Sequence, residues 1–258
     1  MMKKEKPNYY IKSLKKAFKI LNLFSFEEKE FGVTELSKKL NLHKSTIHHI
    51  LATLESEEVV TKNNDTKKYR MGIRLFKLGS IVQHHIELRE IALPVMKELS
   101  QKTGESIHLN LIVGRKRVII EKIESLSIIR LVPQLGENLP LYAGGSGKVL
   151  LAYMTDEDIE KYFQKEKLIS FTPNTITNPE KLLAHLKEIR EKGYAIASGE
   201  RITGATTIGA PIFNHSRRVI ASISICGPTE RFTDNKIQMF ISLVKGSAMK
   251  ISELMGYQ

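Results

Sequence analysis

The sequence contains one cysteine, no tryptophan and no long uncharged apolar run among its 258 residues. A lone Cys226 excludes an internal disulfide and a zinc site built from cysteines, and it suits a reducing compartment. No stretch approaches the roughly 18 apolar residues of a membrane-spanning helix. The lysine-rich start also lacks the apolar segment of a signal peptide. We therefore expect a cytoplasmic protein with no membrane partner.

Acidic residues are also scarce, and their deficit is uneven along the chain. The sequence has 40 Lys and Arg against 28 Asp and Glu, which gives a net charge of +12. Residues 1–80 carry 17 basic and 9 acidic side chains, so they hold two thirds of the excess. A concentrated basic field favours a nucleic-acid partner, although lysine-rich surfaces can also serve solubility alone.

Apolar spacing predicts three helices near the start of the chain, over residues 9–26, 34–40 and 44–57. Thr34 would cap the second helix, and Asn41-Leu42 would end it. The third helix has apolar residues on one face and lysine, serine, threonine and histidine on the other. Two helices joined by a turn of three or four residues are typical of a helix-turn-helix motif.

A basic hairpin is predicted directly after the third helix. Strands over 59–61 and 68–71 would flank the turn residues Asn63-Asn64-Asp65. In that position a hairpin is typical of a wing that contacts phosphates, while the alternative is a solvated surface. We predict that double-stranded DNA contacts Thr34, Lys44, Ser45, Thr46, His48, His49, Lys62, Lys67, Lys68 and Arg70.

The remaining chain alternates between helical and strand patterns. A helix over 73–88 would act as a linker, and Pro94 would begin another that ends at Lys102. Strands are predicted over 107–113, 118–123, 128–132, 194–197, 206–213 and 219–226, with a last helix over 234–255. The order favours an α+β domain with an antiparallel sheet. We thus expect a winged helix-turn-helix domain (1–72), a linker helix (73–88) and an α+β domain (89–258).

Four segments stand out in the order VTELSKKLNLHKSTIHHILATLE, KKYRMGIRLFKLG, LPLYAGGSGKVLLAYM and EIREKGYAIASGERITGATTIGAPIFNHSRRVIASISICGPTERFT. With them the sequence resembles the IclR family of bacterial transcriptional regulators over nearly its whole length. The resemblance implies a GAF-like effector-binding domain and a homodimer or tetramer on operator DNA. It also implies control by a small organic metabolite, often a carboxylic acid, and we expect a repressor rather than an activator.

The glycine-rich segment 143–151 does not match a phosphate-binding P-loop, because Tyr142 stands where the first glycine belongs and Val149 follows Lys148. A glycine-rich turn that enters a helix still offers backbone N–H groups to a carboxylate. The resemblance places the effector's carboxylate near Gly145 and Ser146. The glycines could instead serve a tight turn for steric reasons alone.

The same resemblance implies the rest of the effector pocket. Its wall would include Ile128 and Leu131, with polar contacts from Thr207, Ser224 and Cys226. Some family members carry an aspartate at the position of Ala197, so a somewhat more apolar or differently shaped ligand is indicated here. Alternation along the strand puts Ser224 and Cys226 on one face, although small buried core residues would give the same pattern.

Two other functions stay open. One is a DNA-binding protein that responds to no ligand, and the other is an enzyme with an accessory winged helix. No nucleophile, base and orienting group stand at a recognisable spacing. The histidines also form adjacent pairs rather than the i,i+4 pairs that share a helix face. We therefore expect no catalytic residue, no metal and no cofactor.

Overall fold

Helices and one short hairpin make up the first part of the chain. The computed structural model describes residues 10–84, 87–131 and 133–258. The first elements are α1 (Lys12–Leu21), α2 (Val33–Leu40), α3 (Lys44–Ser56), β1 (Val60–Lys62), β2 (Tyr69–Met71) and α4 (Ile73–His84). Strands β1 and β2 pair antiparallel, with Val60 opposite Met71. The predicted helix-turn-helix and wing are confirmed.

Each element from α1 to β2 contributes at least one apolar residue to the core of this part. Ile20, Leu36, Ile47 and Leu51 are fully buried together. Asn41 ends α2 in the left-handed conformation, as predicted. The prediction that Thr34 caps α2 is wrong. The cap is Gly32, whose N–H donates to the Glu35 carboxylate at 2.7 Å, because glutamate at the third helical position can satisfy that donor.

The second part of the chain contains more helices and a larger sheet. Its elements are α5 (Glu87–Thr103), β3 (Ser106–Val113), β4 (Lys116–Ile123), β5 (Asn138–Pro140), α6 (Gly145–Ala152), α7 (Asp156–Lys165), α8 (Pro179–Lys192), β6 (Ala195–Ser198), β7 (Ala205–Phe213), β8 (Val219–Pro228) and α9 (Asp234–Leu254). The predicted α+β class with an antiparallel sheet is confirmed.

The sheet has the strand order β5-β4-β3-β8-β7-β6, and every neighbouring pair is antiparallel. Helices α5 and α9 cover one face, where Ile107, Leu109 and Ile223 join their apolar residues. Helices α6 and α8 lie on the other side. Because side chains alternate along a strand, the residues between those isoleucines and leucines face α6.

Two expected elements differ in the structure. Helix α5 begins at Glu87 and contains Pro94 in its interior, so the prediction of a helix start at Pro94 is wrong. The described residues of 128–132 form no strand, and the third strand on that side of the sheet is β5. Val132 itself lies outside the described residues.

The chain divides into two units, and the boundary between them falls between residues 85 and 86. These two residues lie outside the described ranges, so the continuous linker helix over 73–88 and the boundary at 89 stay predictions. Within the described ranges, every helix is too short or too polar to cross a membrane.

Candidate functional site

A groove in the first unit lies between α2, α3 and the β1–β2 hairpin. Five of the predicted DNA contacts line it, namely Thr34, His48, Lys62, Lys67 and Lys68. The predicted contacts on α3 outside the groove, Lys44, Ser45 and His49, are exposed, and Thr46 is half-buried. Arg70 is exposed on β2. The fold therefore gathers residues from three separate segments onto one surface.

The basic residues of this surface differ in their partners. Lys68 forms an ion pair with Glu35 at 2.8 Å, and Lys62 lies 5.6 Å from the centre of the Tyr69 ring. Lys44, Lys67 and Arg70 form no ion pair with any described residue. Free cations are the groups best able to replace the counterions of a phosphate backbone. Lys68, by contrast, helps to hold the hairpin beside α2.

The second unit contains a partly enclosed cavity between the sheet and the amino terminus of α6. Strands β3 to β8, the turn before α6 and the loop over 200–202 supply its walls. The cavity volume is about 40 Å³. Since one water needs roughly 10–15 Å³ on this measure, the cavity holds about three waters or a ligand of a few heavy atoms.

Five of the eight predicted effector contacts line this cavity, namely Leu131, Ser146, Ala197, Thr207 and Cys226. Ile128 does not, because its side chain is 96% exposed in the segment that was predicted to be a strand. Gly145 and Ser224 also lie outside the lining and instead bring α6 against the sheet.

Helix α6 is held on the sheet by serine side chains and by the absence of a side chain at Gly145. Ser146 Oγ donates to Ser224 Oγ at 3.2 Å, and Ser222 Oγ donates to the Ser146 carbonyl at 3.2 Å. A Cβ at Gly145 would lie 2.8 Å from the carbonyl oxygen of Thr207. The steric reason for glycine therefore applies at this position, and it places the helix terminus at the cavity.

Arg117 is a buried cation in the cavity wall that sequence reasoning missed. It is 6% exposed, and its Nη1 donates to Asn110 Oδ1 at 2.7 Å. Its Nε has no hydrogen-bond partner, and no described carboxylate forms an ion pair with it. Burial and the charge of Arg201 lower the pKa of Arg117 to about 10, so the guanidinium stays charged at neutral pH.

His108 and Cys226 are the other titratable groups on the strands that line the cavity. Burial and the charges of Arg117 and Lys122 lower the pKa of His108 to about 3, so its imidazole is neutral at pH 7. Burial raises the pKa of the Cys226 thiol, and Thr207 Oγ1 donates to its sulfur at 3.4 Å. These groups therefore add polarity to the cavity without adding charge.

Glu200 is held in place by two donors. One carboxylate oxygen is ion-paired with Lys148, whose side chain is 0% exposed, and the other accepts from the Gly144 N–H at 3.1 Å. Lys148 Nζ also lies 3.0 Å from His185 Nε2. Burial lowers the pKa of Lys148, and the charge of Glu200 opposes that effect. Because this carboxylate is neutralised, it leaves the cavity open to an anion.

A signal for His108 was present in the sequence. Strand β3 alternates Ser106, His108 and Asn110 with isoleucine and leucine, a pattern usually read as a strand with one solvated face. In the structure that polar face is buried beneath α6. A histidine and an asparagine two residues apart in an apolar strand could therefore have indicated a lined cavity.

Comparison with known proteins agrees with both units. The chain matches the IclR helix-turn-helix domain over residues 13–64 and the C-terminal domain of the bacterial transcriptional regulator IclR over residues 81–253. It is 34% identical over 247 residues to the HTH-type transcriptional regulator XynR of Escherichia coli K12, covering 96% of this chain and 98% of that protein.

Solved structures show the same fold. The Thermotoga maritima IclR structure is 35% identical with a TM-score of 0.72, over 96% of this chain and 100% of that one. An IclR homologue from Microbacterium hydrocarbonoxydans, complexed with 4-hydroxybenzoate, is 25% identical with a TM-score of 0.79, over 93% and 98%. The chain belongs to the IclR family of bacterial transcriptional regulators and is a DNA-binding regulator.

Proposed function

We propose that this regulator represses transcription from an operator, and that a small organic acid bound in the cavity controls its affinity for that DNA. The observation that carries the proposal is a partly enclosed cavity with a buried cation that has no ion-pair partner among the described residues, in a chain whose other unit is a helix-turn-helix. An anion is the ligand that such a site favours. The complex of the Microbacterium hydrocarbonoxydans homologue with 4-hydroxybenzoate supports an organic acid as the ligand class, and the small volume of this cavity favours a short one.

Operator contact is assigned to the groove of the first unit and to the exposed face of α3. Helix α3 would enter the major groove, with Lys44, Ser45 and His49 near bases or phosphates. Lys67 and Arg70 on the hairpin would contact the phosphate backbone. Histidine cannot make the two-bond contact to guanine that arginine makes, so His49 would read a different base pattern from an arginine at this position.

Exposed apolar residues in the first unit support a homodimer, as a pair or within a tetramer. Leu14 and Phe18 on α1 are exposed, as are Ile73, Phe76 and Ile81 on α4. Monomeric soluble proteins seldom expose large apolar patches. A dimer would bind two half-sites about one helical turn, or a multiple of it, apart.

The proposal is tested with DNA from upstream of the protein's own gene and a shuffled fragment of the same composition. We expect tighter binding to the native fragment at about 150 mM salt, where non-specific phosphate contacts are weak. Mono- and dicarboxylic acids are then added, and at least one should change the affinity for the native fragment. Equal and steeply salt-dependent binding to both fragments would contradict operator recognition.

Replacing Ser224 by leucine should remove the response to the acid and leave operator binding intact. Ser224 is fully buried between β8 and α6, so the larger side chain pushes the Ser146 end of α6 away from the sheet. Ser224→Ala is the matched control, since it removes one hydrogen bond and adds no volume. A full response in Ser224→Leu would show that the terminus of α6 takes no part in ligand binding.

A regulator that responds to no ligand is the second candidate, and heat stability separates the two. A ligand that binds only the folded state raises the Tm. If no acid changes either the Tm or the operator affinity, the cavity is part of the core and regulation by an acid is wrong.

A further inference from the structure

One cation in the cavity wall, Arg117, has no ion-pair partner within the described ranges. Arg201 lies 3.6 Å from Glu137, and Glu200 is ion-paired with Lys148. Arg117 is the charge that is left, with a neutral asparagine as its one side-chain partner among the described residues. A buried charge without a partner is strongly unfavourable. Glu137 attracts Arg117 only from beyond ion-pair distance, so an anion from outside the chain would complete the site.

The guanidinium lies beside the turn that begins α6. A Cβ at Gly144 would be 3.7 Å from Nη2 of Arg117, and Nε of Arg117 is buried with no partner. The first backbone N–H groups of a helix have no acceptor within the helix, and its dipole is positive at that end. The Arg117 guanidinium and the amino terminus of α6 thus both direct positive charge to the same end of the cavity.

We propose that Arg117 anchors the effector's carboxylate against the amino terminus of α6, and that the cavity accepts an acid with one carboxylate and rejects one with two. This assignment rests on the proposed role of the cavity as the effector site. It names a residue on β4 as the main determinant of ligand charge.

The limit of one carboxylate follows from the charges around the cavity. His108 is neutral at pH 7, so it cannot balance a second negative charge. Glu200 already has Lys148 as its partner, and Arg201 has Glu137. A dianion would therefore bring one uncompensated charge into a cavity of about 40 Å³, which is too small to keep it hydrated.

The test measures thermal unfolding of the whole protein in sodium acetate, with sodium chloride at the same ionic strength as reference. Wild type should gain roughly 4–8 °C in Tm at about 50 mM acetate if the Kd is about 1 mM. Acetamide, which has the same shape and no charge, should give no gain. Malonate, with two carboxylates, should give less than a quarter of the acetate gain.

Arg117→Met should abolish the acetate gain, and Arg117→Lys should keep part of it because the charge remains. Arg115→Met is the matched control. Arg115 is two residues away, exposed, and paired with Glu166 at 3.5 Å, so its variant should respond like wild type. In chloride, Arg117→Met should unfold at or above the wild-type temperature, since it removes an uncompensated buried charge.

A full acetate gain in Arg117→Met would overturn the anchor, and a malonate gain equal to that of acetate would overturn the charge limit. Operator binding separates this assignment from the proposed function. If an acid changes operator affinity equally in Arg117→Met and wild type, regulation stands and the anchor is wrong. If acetate acts through Arg117 but no acid changes operator affinity, the anchor stands and regulation is wrong.

Discussion

Replacing Lys148 by methionine is expected to lower the free energy of unfolding by about 3–5 kcal/mol, because it strands a buried carboxylate. The Lys148 side chain has no exposed area, and that of Glu200 is 8% exposed. Without the lysine, Glu200 keeps one donor among the described residues, the Gly144 N–H at 3.1 Å. Urea unfolding followed by circular dichroism measures the loss.

The double variant Lys148→Met with Glu200→Gln should recover most of that stability, since neither charge is then buried. The loss in the double variant should be smaller than the sum of the two single losses by about 2 kcal/mol or more. Lys161→Met is the matched control, because Lys161 pairs with Glu157 on an exposed helix surface and should show no measurable loss. Losses that simply add would mean that the pair is not coupled.

Replacing Ser45 by glutamate is expected to weaken operator binding about 100-fold or more, because a carboxylate would face phosphates or base edges at close range. Ser45 is exposed in the first turn of α3. A negative charge in the first turn of a helix is favourable, so the fold should tolerate the change. Fluorescence anisotropy with labelled operator measures the Kd at fixed salt.

Ser216→Glu provides the matched control for Ser45→Glu. Ser216 is exposed in the turn between β7 and β8 of the second unit, so its variant changes the net charge by the same amount outside the helix-turn-helix. It should weaken binding by less than about threefold, since exposed charges beyond a Debye length of roughly 8 Å are largely screened. Similar losses in both variants would show that net charge, not the face of α3, determines affinity. Acid-dependent Tm gains should survive in both.

Local patterns were sufficient to predict most elements of the chain, and long-range contacts account for the errors. Pro94 is favourable in a first turn, which is why the sequence predicted a helix start there. In the structure, Leu88 and Ala92 pack against the sheet and extend α5 on its amino-terminal side. Strand β5 has three residues, too few for a pattern of its own, and pairs with β4 at Leu139.

The cavity lining was predicted only in part, again because long-range contacts form it. The glycine and serine residues at the start of α6 carried a recognisable pattern, and Ser146 does line the cavity. Arg117 carried none, because an arginine near a hairpin turn is usually exposed. The turn that begins α6 lies beside it at Gly144, and that turn follows it in the chain by about thirty residues. No window of sequence around Arg117 contains that helix.

The central pairing of β3 with β8 affects how the chain is made. Ser106 pairs with Cys226, so the middle of the sheet joins segments that lie far apart in the sequence. Closing so long a loop costs entropy before its contacts form, which makes such topologies slow to fold. During synthesis His108 would leave the ribosome many seconds before Cys226, at about 5–20 residues per second. A transcript that is cut before residue 219 would encode the whole helix-turn-helix and wing without the second central strand. Such a fragment would lack the wall that β8 gives the cavity at Cys226, whatever DNA it still bound.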